Sequence, residues 1–184
     1  PTILKGSLIA IGGEEQMVLL AADGEHVPGW PQPMNGWADA TAASDGSTLV
    51  ITSLTRGDLS RGWVTAWSLL DTSPSRQRLP GFPLILARDS DSSPALVDLD
   101  QDGRMWIVFG DDGGYLHVVD TKGRERKGFP VRTQGVVSGP TPTPHPPGGD
   151  IHSIEASPAV ADLDGDGAFE IVVGSWDGRL YVWD

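Results

Sequence analysis

Short apolar runs, separated by turns rich in Gly, Pro and Asp, recur along the whole chain. The clearest set covers 94–97, 107–109, 116–119 and 131–133, and three of its four members return at 158–161, 171–173 and 180–183. The runs are rich in β-branched and aromatic residues and are bounded by Asp-Gly turns, which predicts strands joined by tight hairpins. No window sustains a helical period. Residues 107–109 and 171–173 are apolar at every position, so the second strand of each set is expected to be covered on both faces.

The sets are copies of one unit. Sliding Asp166-Gly167 onto Asp102-Gly103 brings Ser157-Pro158-Ala159 over Ser93-Pro94-Ala95 and Ile171-Val172-Val173-Gly174 over Ile107-Val108-Phe109-Gly110. Sliding again reaches Asp45-Gly46, followed by Leu49-Val50-Ile51. A second marker, Gly-aromatic-Pro, stands at Gly29-Trp30-Pro31, Gly81-Phe82-Pro83 and Gly128-Phe129-Pro130. Together these divide a single domain into units at about 1–34, 35–87, 88–138 and 139–184. Four short antiparallel strands per unit, named a to d, predict an all-β fold: a β-propeller with about four blades present. Such a set is expected to be part of a ring completed by other residues or by a second chain, or to close as a small ring, because an uncovered edge strand invites pairing.

The pattern Ser-Pro-Ala-x-x-Asp-x-Asp-x-Asp-Gly, then Ile-Val-x-Gly, Asp-Gly and Leu-x-Val, resembles the FG-GAP repeat. The resemblance is closest over 93–133 and 153–184, fainter over 8–33 and faintest over 35–87. It implies a propeller of the kind found in integrin alpha subunits and in secreted bacterial proteins, and Gly-Phe-Pro after strand c is more like the bacterial members. Propellers of this family have about seven or eight blades, so the resemblance implies that more of the ring lies elsewhere.

In the fourth unit the loop between strands a and b offers oxygen at alternate residues: Asp162, Asp164, Asp166, the carbonyl of Ala168, then Glu170. Hard oxygen donors in a flexible loop suit calcium, and the glycine after the third Asp permits the tight bend. The start is like an EF-hand, but an EF-hand places Glu at position twelve, here Val173 inside a strand. The last acid at position nine is what the FG-GAP resemblance implies. Without a cation the loop reads as a plain Asp-Gly turn, at the cost of carboxylate repulsion. The third unit keeps Asp98, Asp100 and Asp102, with Arg104 supplying the carbonyl position, but carries Trp106 in place of the final acid. It is expected to bind more weakly. The second unit reads Thr41, Ala43, Asp45 and Leu49 at the matched positions, and the first has no acidic loop. Calcium is therefore expected to be structural, a staple between strands a and b.

Composition narrows the function. The chain has 184 residues, 24 Gly, 15 Pro and 7 Trp, and a net charge of −12 from 25 acidic and 13 basic residues. That acidity argues against binding nucleic acid or an anionic membrane. The absence of cysteine excludes disulfides, thiolate metal sites and cysteine nucleophiles. No apolar run is long enough to span a membrane. No secretory leader is legible, and the chain is expected to be a mature or trimmed piece of a longer one.

Arg56-Gly57-Asp58 spells the integrin-recognition tripeptide in a lengthened b–c connection, where a charged turn is the plain alternative. A Pro-rich insertion at 139–149, containing His145, precedes strand a of the fourth unit. Both connections are expected at the end of the blades opposite the calcium loops. Arg56, Gly57, Asp58, Trp63 and His145 are therefore the candidate ligand face, with a tolerated surface insertion as the alternative. Trp67, Trp106, Trp176 and Trp183 are expected to be packing wedges between blades, while Trp37 and Trp63, nearer loops, are candidates for stacking on a sugar. No nucleophile elbow, phosphate loop or Ser/His/Asp set is present, so no catalytic residue is assigned. Paired carboxylates from separate blades would leave no local motif. The leading expectation is a calcium-binding propeller, extracellular or periplasmic, that binds a protein or glycan or serves as an accessory module. The alternatives are a propeller segment of a secreted polysaccharide lyase or hydrolase, and a structural spacer.

Overall fold

The computed structural model describes residues 2–4, 8–55, 58–71, 73, 77–134 and 152–184. Among them are fifteen strands and no helix, and all pairings between strands are antiparallel. The first group comprises β1 (Thr2–Leu4), β2 (Leu8–Gly12), β3 (Glu14–Leu20) and β4 (Gln32–Trp37). The second comprises β5 (Ala43–Ser44), β6 (Thr48–Thr55), β7 (Asp58–Ser68) and β8 (Leu84–Leu86). The third comprises β9 (Ala95–Val97), β10 (Trp106–Gly110), β11 (Tyr115–Asp120) and β12 (Val131–Arg132), and the fourth β13 (Ala159–Ala161), β14 (Glu170–Gly174) and β15 (Leu180–Trp183). Each group runs in chain order from strand a outward, and the single pair Trp37–Leu54 joins the first two into one eight-stranded sheet.

The later groups share one register. Ala43 pairs with Val50, Ala95 with Val108 and Ala159 with Val172. The first strands of these groups also neighbour one another, β5 beside β9 and β9 beside β13. Short hydroxyl bonds tie this inner rim together. Thr2 Oγ1 donates to the Ala42 carbonyl at 2.8 Å, Thr52 Oγ1 to Ser92 at 2.6 Å, and Ser92 Oγ to Ala156 at 2.9 Å.

The core is a series of apolar layers between successive groups. Leu49 and Ile51 of β6 pack with Ala10, Met17 and Leu19 of the first group, while Val50 between them joins Ile107 and Phe109 of the third. Val108, pointing the other way, packs with Ile171 and Val173. A strand that faces an apolar layer on both sides is apolar at consecutive positions, which is the physical reason for the uninterrupted runs. The Gly-aromatic-Pro marker places one aromatic in each layer: Trp30, Phe82 and Phe129. Its glycine has φ of 88°, 90° and 96°, and its X-Pro bond is cis, in all three copies. At Gly81 a Cβ would lie 2.1 Å from the Lys122 carbonyl oxygen, so no larger residue fits.

Trp67 is fully buried and meets Trp30 at 5.8 Å between ring centroids. Trp106 and Trp183 are partly buried against the third layer. Trp176 departs from the expected wedge role: it is 40% exposed, because it stands in the turn after β14 rather than in a strand.

Candidate metal centres

The a–b loops lie at one end of the blades, and the b–c turns and d–a connections at the other. In the fourth blade the a–b loop brings Asp162, Asp164 and Asp166 together, with one carboxylate oxygen of each within 4.8 Å of the others. All three are exposed. The backbone fixes them: Asp162 accepts from Gly165 N–H at 2.7 Å and Gly167 N–H at 3.1 Å, Asp164 from Asp166 N–H at 3.1 Å, and Asp166 from Ala168 N–H at 2.8 Å. Short acidic side chains bonding their own backbone two or more residues on are the means by which such a turn forms. Glu170 begins β14, is buried, and accepts from Leu163 N–H at 2.6 Å, closing the loop onto its own start. Three mutually close carboxylates with free oxygens fit a hard divalent cation, and calcium would be held by Asp162, Asp164 and Asp166.

In the third blade the equivalent residues do not converge. Asp98 still organises the turn, accepting from Asp102 N–H at 3.0 Å and Gly103 N–H at 2.8 Å. Asp100 accepts from Trp106 Nε1 at 2.9 Å and pairs with the two terminal nitrogens of Arg126, Nη2 at 2.8 Å and Nη1 at 2.9 Å. The Arg126 guanidinium also lies over the Trp106 ring at 5.1 Å. Asp102 pairs with Arg104, and hydrogen bonds from that side chain hold its carboxyl below the usual range. Arginines from the chain thus occupy two of the carboxylates that a metal would need. The two loops are bonded to each other: Gln101 Nε2 donates to the Gly167 carbonyl at 2.6 Å.

Of the candidate ligand face, Arg56, Gly57 and His145 lie outside the described residues, as does the 139–149 insertion. Asp58 begins β7 and pairs with Thr55. Trp63 and Trp37 are not loop residues: Trp63 pairs with Ser53 and Ile85 inside β7, and Trp37 closes β4. They share an open depression of about 570 Å³ with Glu15, Met34, Asn35, Gly36 and Thr55. A larger cleft of about 700 Å³ lies at the other end of the blades, beside Trp106, Asp45 and the cations Arg104, Arg124 and Arg126. His117 sits in β11 with its ring 4.8 Å from that of Phe109 and its nitrogens 3.4 Å from Asp111 and 3.3 Å from Glu125.

A second group of carboxylates was not found from sequence. Asp89 and Asp91 precede β9, Asp112 lies in the β10–β11 turn, and Glu155 precedes β13. One oxygen each of Asp91, Asp112 and Glu155 lie within 4.8 Å of one another. Asp89 is 1% exposed and lies against the Asp112 carboxyl, with no donor from any other residue at its oxygens among the described residues. Burial, then Asp112 and Asp91, push its carboxyl up to about 7. Burial, then Asp112, Glu155 and Asp39, push Asp91 up to about 6. Ser153 Oγ donates to Asp112 at 2.8 Å, and the Asp112 N–H donates to the Asp89 carbonyl at 3.0 Å. Gly62 of β7 makes room, since a Cβ there would stand 2.7 Å from Asp89 Cα. A signal did exist in the sequence. Asp39, Asp91 and Glu155 each stand four residues before the alanine, Ala43, Ala95 or Ala159, that opens the pairing of strands a and b.

No protein-family model and no curated protein matches the sequence. Solved structures do match. The chain superposes on the crystal structure of BamB from Moraxella catarrhalis with a TM-score of 0.61 and 18% sequence identity, over 98% of this chain and 47% of that one. The chain has a β-propeller fold. It spans about half the length of BamB, and at this identity the likeness is one of fold alone. No described helix is long and apolar enough to cross a membrane.

Proposed function

We propose that this chain is part of a larger extracytoplasmic β-propeller of the FG-GAP type, stapled by calcium at the Asp162 loop and serving as a non-catalytic binding or assembly module. The observation that carries the calcium reading is the convergence of Asp162, Asp164 and Asp166 within 4.8 Å in an exposed loop, with no lysine, arginine or histidine ion-paired to them among the described residues. The contrast with the third blade supports it, because there the carboxylates are neutralised by Arg104 and Arg126. A calcium ion joining the two ends of this loop ties β13 to β14 and serves the scaffold rather than turnover. The net charge of −12 favours a protein or glycan partner over nucleic acid.

The test is thermal melting with calcium and with chelator. The wild-type transition is expected to rise by several degrees in millimolar calcium, and Asp164→Asn/Asp166→Asn to show a smaller rise from an unchanged chelated melting point; an undiminished rise in that variant would refute the Asp162 loop as a calcium site. A transition that calcium does not move would sink the calcium reading. The module reading is tested separately, by titrating candidate glycans and proteins in calcium and by assaying a polysaccharide panel. Turnover would replace a binding module with an enzyme.

A further inference from the structure

We propose that Asp91, Asp112 and Glu155, with Asp89 packed beside them, bind a second divalent cation of calcium's size, at the end of the blades opposite the Asp162 loop. The feature that points to a ligand is Asp89. Its side chain is 1% exposed and lies against the Asp112 carboxyl, and apart from that carboxyl and its own N–H no donor reaches its oxygens. Asp91 adds another buried oxygen, Oδ1, without a donor. A buried carboxylate is ordinarily hydrogen-bonded or ion-paired, because removing it from water without compensation is costly. Among the described residues no lysine, arginine or histidine forms an ion pair with any of the four, and the donor to a side chain in the group is Ser153, on Asp112.

The donor chemistry selects the ion. Three carboxylates converge, Asp89 stands against one of them, and Ser153 takes one oxygen of Asp112, which leaves several hard oxygens for an ion. Calcium accepts about 6–8 such oxygens in irregular geometry, including bidentate carboxylates, whereas magnesium demands a near-ideal octahedron and retains its waters. The ligands come from three places: the connection into the third blade, the hairpin turn within it, and the connection into the fourth. An ion here would fasten two neighbouring blades to each other, whereas the Asp162 loop joins strands of one blade. The two sites share no residue, so either can fail without the other.

Calorimetric titration of the 184-residue protein with calcium at neutral pH tests the site. Asp164→Asn/Asp166→Asn, which leaves the cluster untouched, is expected to retain one calcium equivalent. Asp91→Asn/Asp112→Asn is expected to bind one equivalent fewer than wild type. A folded loop variant that binds no calcium overturns the proposal and leaves the cluster neutralised by protons alone. So does a cluster variant with wild-type stoichiometry. Binding lost only in the cluster variant would support this site and refute the Asp162 loop. If the cluster variant does not fold, the loop variant decides the matter by itself.

Discussion

His117 is a polar side chain in a strand that would otherwise bury only apolar groups on that face. Burial disfavours its charge, but the hydrogen bonds to Asp111 and Glu125 outweigh that cost and raise its pKa from the ordinary 6.5 to about 9. The folded state therefore holds a proton that the unfolded chain releases near 6.5. The resulting stabilisation is complete below about pH 6.5 and is lost as pH rises through about 9, on the order of 3 kcal/mol. The urea midpoint is expected to fall between about pH 6 and about pH 10, and His117→Gln to flatten that fall. An equal fall in the variant would assign the pH dependence elsewhere. Single residues were unevenly legible. Asp162, Asp164 and Asp166 are consecutive alternate positions in one loop, so their meeting could be read from spacing. Asp89, Asp91, Asp112 and Glu155 sit in three separate connections that the blades bring together, and the sequence records only the shared place of Asp91 and Glu155 before strand a.

The two acidic loops differ because of what surrounds them, and sequence spacing does not carry that. Trp106, where the fourth blade has Glu170, brings an indole N–H to Asp100 and a platform for Arg126. Arg126 comes from the c–d connection, 26 residues away from Asp100, so its partnership was invisible in the loop itself. Arg126→Gln is expected to leave Asp100 with only the indole, lower the chelated melting point by up to about 1 kcal/mol of stability, and introduce weak calcium binding in that loop. Calorimetry on the Asp164→Asn/Asp166→Asn background reads this change directly. Absence of any new heat would show that Trp106 alone closes the site. The strands themselves were largely legible: β10, β11, β14 and β15 fall on the expected apolar runs, because two-sided burial writes itself into consecutive residues. β4 was less so. Its Pro33, Asn35 and Gly36 lack strand character, and it forms by continuing the sheet after Trp30-Pro31.

The four blades bury three apolar layers, and the last blade keeps an apolar outer face. Tyr181 and Trp183 turn toward the third blade, while Leu180 and Val182, alternating with them, are 71% and 53% exposed. On the proposed reading of the chain as part of a larger propeller, further blades or a second copy would cover this face. Leu180→Glu/Val182→Glu is expected to reduce self-association, read by sedimentation, with a change in chelated melting point equivalent to less than about 0.5 kcal/mol. A large loss of stability would mean that the face is already packed within the chain. The propeller architecture could be read from the repeat, whereas the number of blades in the closed ring is not a property of any one repeat.

The inner rim and the outer strands resist force differently. Hydroxyl bonds from Thr2, Thr52 and Ser92 pin each blade to the next near the rim, and farther out the blades are held by the apolar layers with a few polar ties, the Trp37–Leu54 pair and the Gln101–Gly167 bond among them. Apolar contact slides under load, and a short hydrogen bond snaps. Stretched by its two ends in a single-molecule trap, the chain is expected to lengthen in blade-sized steps. Ser92→Ala should lower the force of the step that frees the fourth blade and leave the others in place. A single all-at-once rupture would show that the layers, not the tethers, set the mechanical limit.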